Sequence, residues 1–169
     1  MEQEMTRTQV IAVIICAVIL GLASCRSPVE TISAGVPELD DNFETDTLVI
    51  EADDGSQHEF TVYLAIEPEQ QRRGLMFVRK MPADRGMLFV YDVSDNHSMW
   101  MKNTYLSLDM IFARNDGTVS SVSHDTQPLS LATISSTEPV TFVLELNAGA
   151  ARRLGIGQKS RIIWQPAPD

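Results

Sequence analysis

Hydrophobic and polar residues alternate through much of the chain after residue 46. In "EFTVYL", Phe60, Val62 and Leu64 fall on every second position, and "VTFVLELN" at residues 140–147 repeats this spacing. Successive side chains of a strand point to opposite faces, so this period predicts β-strands. Further strands are predicted in "TLVIEA", "GMLFVY", "LSLDMIF", "TVSSVSH" and "SRIIW". Residues 47–165 are therefore predicted to form one mainly β domain.

Turn residues separate these strands at short intervals. "DDGSQH" and "NDG" each lie between two predicted strands, which predicts two hairpins. "EPEQQRRG" places Pro68 at a first helical position and Gly74 at a helix end, and "AGAARRLG" is predicted as a second short helix capped by Asn147. Many short strands with one or two short helices favour a β-sandwich or a partly open β-barrel.

An apolar run near the N-terminus ends in a cysteine. "VIAVIICAVILGLASC" is shorter than the about 20 apolar residues that a membrane-spanning helix needs, and it is typical of a secretory signal. Its ending "LASC" resembles a bacterial lipobox, which implies a signal peptide at residues 1–24 and lipid attachment at Cys25. Glu2 and Glu4 depart from the positive start of most signals, so an uncleaved membrane helix is the alternative.

Lipidation would place the protein outside the cytoplasm. Acyl chains contribute about 0.8 kcal/mol per buried methylene, so three of them anchor a chain firmly to a bacterial membrane. Arg26 would then be the second mature residue, which by resemblance to sorted lipoproteins favours the outer membrane, facing the periplasm. Residues 25–46 are rich in Pro, Ser, Gly and acidic residues without apolar periodicity, and they are predicted to be a lipidated, flexible tether.

The charge and the cysteines narrow the classes of partner and fold. The formal net charge is -10, from 23 acidic and 13 basic residues, which is unfavourable for a nucleic-acid partner and for a polybasic membrane patch. Cys16 and Cys25 are the two cysteines, and both precede the β domain. The domain is therefore predicted to contain no disulfide and no cysteine-bound metal.

The residues that hydrolytic enzymes use are sparse. His58, His97 and His124 lie in no metal-binding spacing, and no G-x-S-x-G motif occurs. His124 and Asp125 are adjacent, so on a strand they would point to opposite faces and form a poor catalytic pair. A non-catalytic domain without a cofactor is predicted, and an enzyme of unrecognised type is one alternative.

Soft ligands suggest a second alternative, a Cu(I)-binding module. In an extended strand His97, Met99 and Met101 share one face, with Trp100 on the other. Thioethers and imidazole suit Cu(I), whereas methionine more commonly fills gaps in a hydrophobic core.

A group of polar residues suggests a binding site. Arg79 and Lys102 are cationic, Asp109 and Glu145 lie on strands opposite the apolar positions, and Trp100 stands beside Lys102. We expect these five residues to form a polar rim that binds a small anionic or zwitterionic ligand, or an envelope protein. An ion-pair network that fixes strand register is the structural alternative.

Three stretches carry a family resemblance. "RRGLMFVRKMPADRGMLFVY", "MWMKNTYLSLDMIF" and "FVLELNAGAARRLGI" together resemble domain-of-unknown-function family 192, also called uncharacterised protein family 0127. The resemblance covers residues 48–164 and implies an all-β, sandwich-like or barrel-like domain, often exported or membrane-tethered, with no settled activity. His97 and Met99 depart from the family pattern, which weakens the copper hypothesis. The residues that match its defining positions are Arg79, Gly86, Trp100, Lys102, Thr104, Asp109 and Glu145.

Overall fold

The computed structural model describes residues 35–166, so the predicted signal peptide, Cys25 and the first part of the predicted tether lie outside the described residues. No helix among the described residues is long and apolar enough to cross a membrane. The elements in chain order are α1 (Pro37–Asp40), β1 (Thr45–Glu51), β2 (Gln57–Ala65), α2 (Pro68–Arg73), β3 (Arg85–Asp95), β4 (Ser98–Met99), β5 (Leu108–Ala113), β6 (Val119–Ser123), β7 (Ile134–Ser135), β8 (Val140–Asn147), α3 (Ala150–Arg153) and β9 (Arg161–Ile163).

Seven of the strands form one sheet in the order β6-β5-β8-β3-β2-β1-β9, and β4 pairs with β7 in a separate two-stranded sheet. The hairpins β1–β2 and β5–β6 are antiparallel, as predicted. Strands β2 and β3 are parallel, with α2 in the connection between them. The helix begins at Pro68 and is followed by Gly74, which confirms its predicted ends. The parallel pair itself was not predicted.

The two ends of the large sheet meet, so the sheet curls into a barrel. Thr118 and Arg161 form a β-bridge, the Val119 N–H donates to the Ser160 carbonyl at 2.9 Å, and the Ile162 N–H donates to the Gly117 carbonyl at 2.8 Å. Gly117 has φ +84°, and a Cβ there would lie 2.0 Å from the Ile162 carbonyl oxygen. Only glycine permits this approach. The predicted mainly β, barrel-like fold class is confirmed.

Hydrophobic residues pack on both faces of the sheet. The inner core fills the barrel and is mostly aliphatic, including Leu48, Ile50, Val62, Leu88 and Leu144. The outer core covers the opposite face of β2, β3, β5 and β8, and it is rich in methionine and aromatic residues. Its members include Met87, Phe89, Met99, Met101, Met110 and Phe112. Loops and α1 cover this outer face.

The folded domain begins earlier than predicted. Val36, Leu39 and Phe43 are buried in the outer core, and the Val36 N–H donates to the Tyr63 hydroxyl oxygen at 2.7 Å. The predicted tether is therefore wrong over residues 35–46. Apolar residues at a helical spacing of three and four give this segment a buried face. All members of both cores lie within residues 36–164, so a chain that starts at residue 26 retains every residue of the described fold.

Candidate functional site

Two acidic residues are buried at neighbouring positions of the sheet but on opposite faces. Asp109 of β5 pairs with Leu146, and Glu145 of β8 pairs with Met110. Asp109 therefore points to the inner side with the aliphatic core, whereas Glu145 points to the outer side with the methionines. The prediction that both carboxyls share one rim is wrong, because the sheet lies between them.

Asp109 has hydrogen-bond partners on both carboxylate oxygens. Its Oδ1 accepts the Asp125 N–H at 2.9 Å, and its Oδ2 accepts the Ala151 N–H, at the start of α3, also at 2.9 Å. His124 Nδ1 lies 3.8 Å from Oδ1, which is beyond hydrogen-bond distance. Two backbone donors thus hold this carboxylate, and it ties α3 to the turn after β6.

The helix α3 is capped differently from the prediction. Gly149, with φ +80°, is its N-cap residue, so the prediction of Asn147 is wrong. The Asn147 amide instead donates to the carbonyls of Met81 at 3.0 Å and Pro82 at 3.1 Å. Asp109 supplies from a neighbouring strand the acceptor that a capping side chain ordinarily supplies.

Glu145 has the opposite environment. It is 4% exposed, and in the sheet it lies between Met87 and Met110. None of the described residues donates a hydrogen bond to its carboxyl group, and burial raises the pKa of Glu145 to about 8. At neutral pH the carboxyl is therefore mostly protonated, and it can donate or accept a hydrogen bond.

A small cavity lies over Glu145. Its volume is about 20 Å³, which is room for about one water molecule. Besides Glu145, the polar or cationic lining comes from Gln71, Arg72 and Arg73 at the end of α2 and from Thr104. The Trp100 side chain also lines the cavity. The cavity thus combines a neutral buried acid, two guanidinium-bearing residues and an aromatic ring.

The predicted cationic residues lie on the loops of the outer side. Lys102 Nζ is 4.9 Å from the centre of the Trp100 ring, and the Arg79 guanidinium is 4.4 Å from the centre of the Tyr105 ring. Trp100 is 49% exposed, so it faces solvent as well as the cavity. Trp100 and Glu145 are the two predicted rim residues that line one site.

The predicted five-residue rim did not include Arg72 and Arg73, which line the cavity over Glu145. They are near it because the β2–α2–β3 crossover lays the end of α2 over the outer face, where a Cβ on Gly74 would be 3.2 Å from Phe89 Cζ. A right-handed crossover between parallel strands could have suggested this position if the parallel pairing had been recognised.

The proposed copper ligands have other contacts. The Tyr91 hydroxyl donates to Met99 Sδ at 3.6 Å, and the Thr126 hydroxyl donates to Met101 Sδ at 3.3 Å. The His97 ring stacks on Tyr91 with 3.6 Å between ring centres. Within residues 35–166 no group of three or more His, Cys, Asp or Glu side chains could hold a metal ion. These contacts favour the interpretation of both methionines as core residues.

The described residues form a curled sheet with loops packed over one face, and a domain of this architecture is a small β-barrel. The sequence profile of DUF192, described as "Uncharacterized ACR", matches residues 49–164. The chain belongs to this family. The family description gives no activity.

Two solved structures are similar to this chain. A Sinorhizobium meliloti 1021 protein, with the provisional description of a transcription regulator, is 43% identical and has a TM-score of 0.70, covering 72% of this chain and 94% of its own. A protein of unknown function from Novosphingobium aromaticivorans DSM 12444 is 30% identical with a TM-score of 0.70, covering 72% of this chain and 86% of its own. No curated protein matches the chain.

Proposed function

We propose that this chain is an exported lipoprotein whose non-catalytic β domain binds a small anionic or zwitterionic ligand in the cavity over Glu145. Lipid at Cys25 would anchor it to a bacterial membrane, the outer membrane where the cell has one. The observation that carries ligand binding is the Glu145 carboxyl, which is buried and receives no hydrogen bond from the described residues. Such a group is costly to bury unless another molecule satisfies it.

The lining suggests the chemistry of the ligand. Arg72 and Arg73 suit a carboxylate or phosphate oxygen, and a protonated Glu145 can donate its O–H to the same group. An amine of a zwitterionic ligand would instead favour the ionised form of Glu145. A ligand larger than water gains access only if the half-exposed Trp100 side chain moves aside.

Catalysis is not proposed, because the buried acids lack the arrangement of a general base with its partner. Asp109 accepts two backbone N–H groups and is not within hydrogen-bond distance of His124. A candidate base must reach the proton that it removes. The provisional description as a transcription regulator is that of the Sinorhizobium protein, and it is not carried over to this chain.

The experiment is a ligand titration followed by fluorescence. In a Trp164→Phe variant, Trp100 is the single tryptophan, since the chain has two. Glutamate, glycine, acetate and inorganic phosphate are the probes. We expect a saturable change in Trp100 emission with at least one of them, because the ligand must displace the ring that lines the cavity.

A matched pair of substitutions identifies the site. Glu145→Gln keeps the shape of the side chain but changes its hydrogen-bonding and charge, and we expect it to weaken the saturable response at least tenfold. Glu59→Gln makes the same chemical change at an exposed position and should leave the response unchanged. Absence of a response to all four probes, or an equal loss in both variants, would contradict ligand binding at Glu145.

A further inference from the structure

Three loops on the outer side of the sheet form one continuous surface. The Phe77 N–H donates to the Asn103 carbonyl at 2.8 Å, and the Leu129 N–H donates to the Thr104 carbonyl at 3.0 Å. The central loop is therefore bonded on both sides to its neighbours, and the three present a single surface. This surface, here called the loop face, consists of residues 71–82, 100–107 and 127–133.

The loop face is cationic although the whole chain is acidic. It contains five of the 13 basic residues and none of the 23 acidic ones. Arg72 has an acidic neighbour, Glu69, at 3.7 Å, so its charge is partly balanced. The net charge of -10 therefore conceals a local reversal of sign. The basic residues of the loop face are Arg72, Arg73, Arg79, Lys80 and Lys102.

The same face exposes large apolar side chains. Of the eight large hydrophobic residues that are exposed among the described residues, five lie on the loop face, with exposed fractions from 38% to 69%. Cations lie over the aromatic ones, as with the Arg73 guanidinium 5.2 Å from the Phe77 ring centre. Exposed apolar groups concentrated in one place mark an interaction surface. The five residues are Phe77, Trp100, Tyr105, Leu129 and Leu131.

The backbone of these loops is held in a conformation that side chains disfavour. Phe77 has φ +70°, Asn103 φ +56° and Leu129 φ +61°, and these are three of the four non-glycine residues with positive φ among residues 35–166. A bulky residue in this region is uncommon and strained. Because Phe77 and Leu129 point largely to solvent, this strain is not offset by burying their side chains. Strain that packing does not explain is concentrated at functional surfaces.

We propose that the loop face docks on a bilayer that contains anionic phospholipids. Lys and Arg are attracted to anionic headgroups, while Trp, Tyr, Phe and Leu insert at the boundary with the acyl chains. A nucleic acid would also attract the cations, but it offers no apolar layer for Leu129 and Leu131, which are among the most exposed hydrophobic side chains of the described residues. A bilayer with anionic phospholipids offers negative charge to the basic residues of the loop face and an apolar layer to its hydrophobic residues.

The path of the chain agrees with this orientation. Val36, Leu39 and Phe43 pack in the outer core, on the side of the sheet that the loop face covers. The stretch from Cys25 to Gly35 spans at most about 35 Å even if fully extended, so a lipidated Cys25 would keep the domain near the membrane surface. This inference shares the lipid anchor with the proposed function, but it does not require ligand binding at Glu145.

The test uses a chain from residue 26 to 169, which lacks Cys25 and therefore any lipid anchor. At about 0.1 M salt we expect it to sediment with vesicles of equimolar phosphatidylglycerol and phosphatidylcholine and not with pure phosphatidylcholine. The double substitution Arg79→Glu with Lys80→Glu should lower the partition coefficient at least about 30-fold. The matched control, Arg153→Glu with Lys159→Glu, makes the same charge change at exposed positions outside the loop face and should alter it less than about threefold.

A second readout reports the orientation directly. In the Trp164→Phe background, we expect brominated acyl chains in the anionic vesicles to quench Trp100 fluorescence. No sedimentation with anionic vesicles, an equal loss in both double variants, or unquenched Trp100 in bound protein would overturn the proposal. Binding to a DNA duplex without binding to vesicles would also overturn it and would assign the loop face to nucleic acid.

Discussion

Asp109 and Glu145 are both buried carboxylic acids on adjacent strands, yet their surroundings differ completely. Asp109 points toward the inner core and accepts two backbone N–H groups at 2.9 Å. Glu145 points toward the outer core, lies between two methionines, and receives no hydrogen bond from the described residues. Burial alone therefore does not distinguish a structural acid from a candidate functional acid. The number of hydrogen bonds that each carboxyl group receives does distinguish them.

The two sides of the sheet differ in the same way. The inner side holds a closed aliphatic core with its buried acid satisfied. The outer side holds a buried acid that receives no hydrogen bond from the described residues, a small cavity, strained loops and exposed aromatic residues. A buried acid without a hydrogen bond from the described residues and three of the four non-glycine residues with positive φ lie on the outer side, as expected if binding occurs there.

The largest expected effect is that of Asp109→Ala. It leaves the buried N–H of Ala151 and the partly buried N–H of Asp125 without an acceptor. At about 1–3 kcal/mol for each group, we expect the free energy of unfolding to fall by about 2–6 kcal/mol. Urea unfolding followed by circular dichroism measures this. Asp92→Ala, at an exposed position, is the control and should change the value by less than about 0.5 kcal/mol. A loss below about 1 kcal/mol for Asp109→Ala would remove its structural role.

An effect of comparable size is the pH dependence that Glu145 imposes. Its folded pKa of about 8 lies above its ordinary value of 4.5, so between these values the folded state binds more protons than the unfolded state. Its contribution to stability therefore falls as pH rises through this window, by roughly 4–5 kcal/mol in total. Glu145→Gln removes this dependence.

The measurement is the difference in unfolding free energy between Glu145→Gln and the unsubstituted protein at about pH 5 and pH 8. Taking the difference cancels the carboxyl groups with lowered pKa values, such as Asp54 and Asp116, which act in the opposite direction. We expect the variant to gain relative stability with rising pH. A difference that is constant with pH would show that Glu145 titrates normally.

A smaller effect is expected for His124→Ala. His124 Nδ1 is 3.8 Å from Asp109 Oδ1, and the His124 side chain is 28% exposed, so we expect a loss of less than about 1 kcal/mol. Thermal unfolding compared with that of Asp109→Ala checks this. If the two variants lost equal stability, the ion pair rather than the backbone donors would be the source of the Asp109 contribution.

The smallest effect is expected for Trp100→Ala. The ring is half exposed, so its removal should lower the free energy of unfolding by no more than about 1 kcal/mol. The same variant should weaken binding to anionic vesicles, because Trp100 belongs to the loop face. A large loss of stability would make Trp100 a core residue and its binding phenotype uninterpretable.

The sequence predicted the strands well because alternation is a local signal. Phe60, Val62 and Leu64 identify β2 without reference to any other strand. The parallel pairing of β2 with β3 and the closure of the barrel depend on contacts between distant segments, which alternation does not encode. The helix α1 was missed because its few apolar residues lie in an acidic, Pro-containing stretch.

The candidate site was predicted only in part for a related reason. Glu145 was recognisable as an acid within an apolar strand, and Asp109 likewise. Which face each one takes depends on the register of β5 against β8, and the pairing of Met110 with Glu145 puts them on opposite sides. Register is a property of two strands together, so neither strand's own pattern reveals it.

The junction at Gly117 affects whether copies of this protein associate through their sheet edges. An open sheet ends in a row of unpaired backbone groups that can recruit a strand from another molecule. Here the N–H groups of Val119 and Ile162 are already occupied across the junction. Truncating the chain after Ser160, or replacing Gly117 with a larger residue, should open this junction. The backbone groups exposed there could then pair with strands of other copies, and we expect the protein to aggregate.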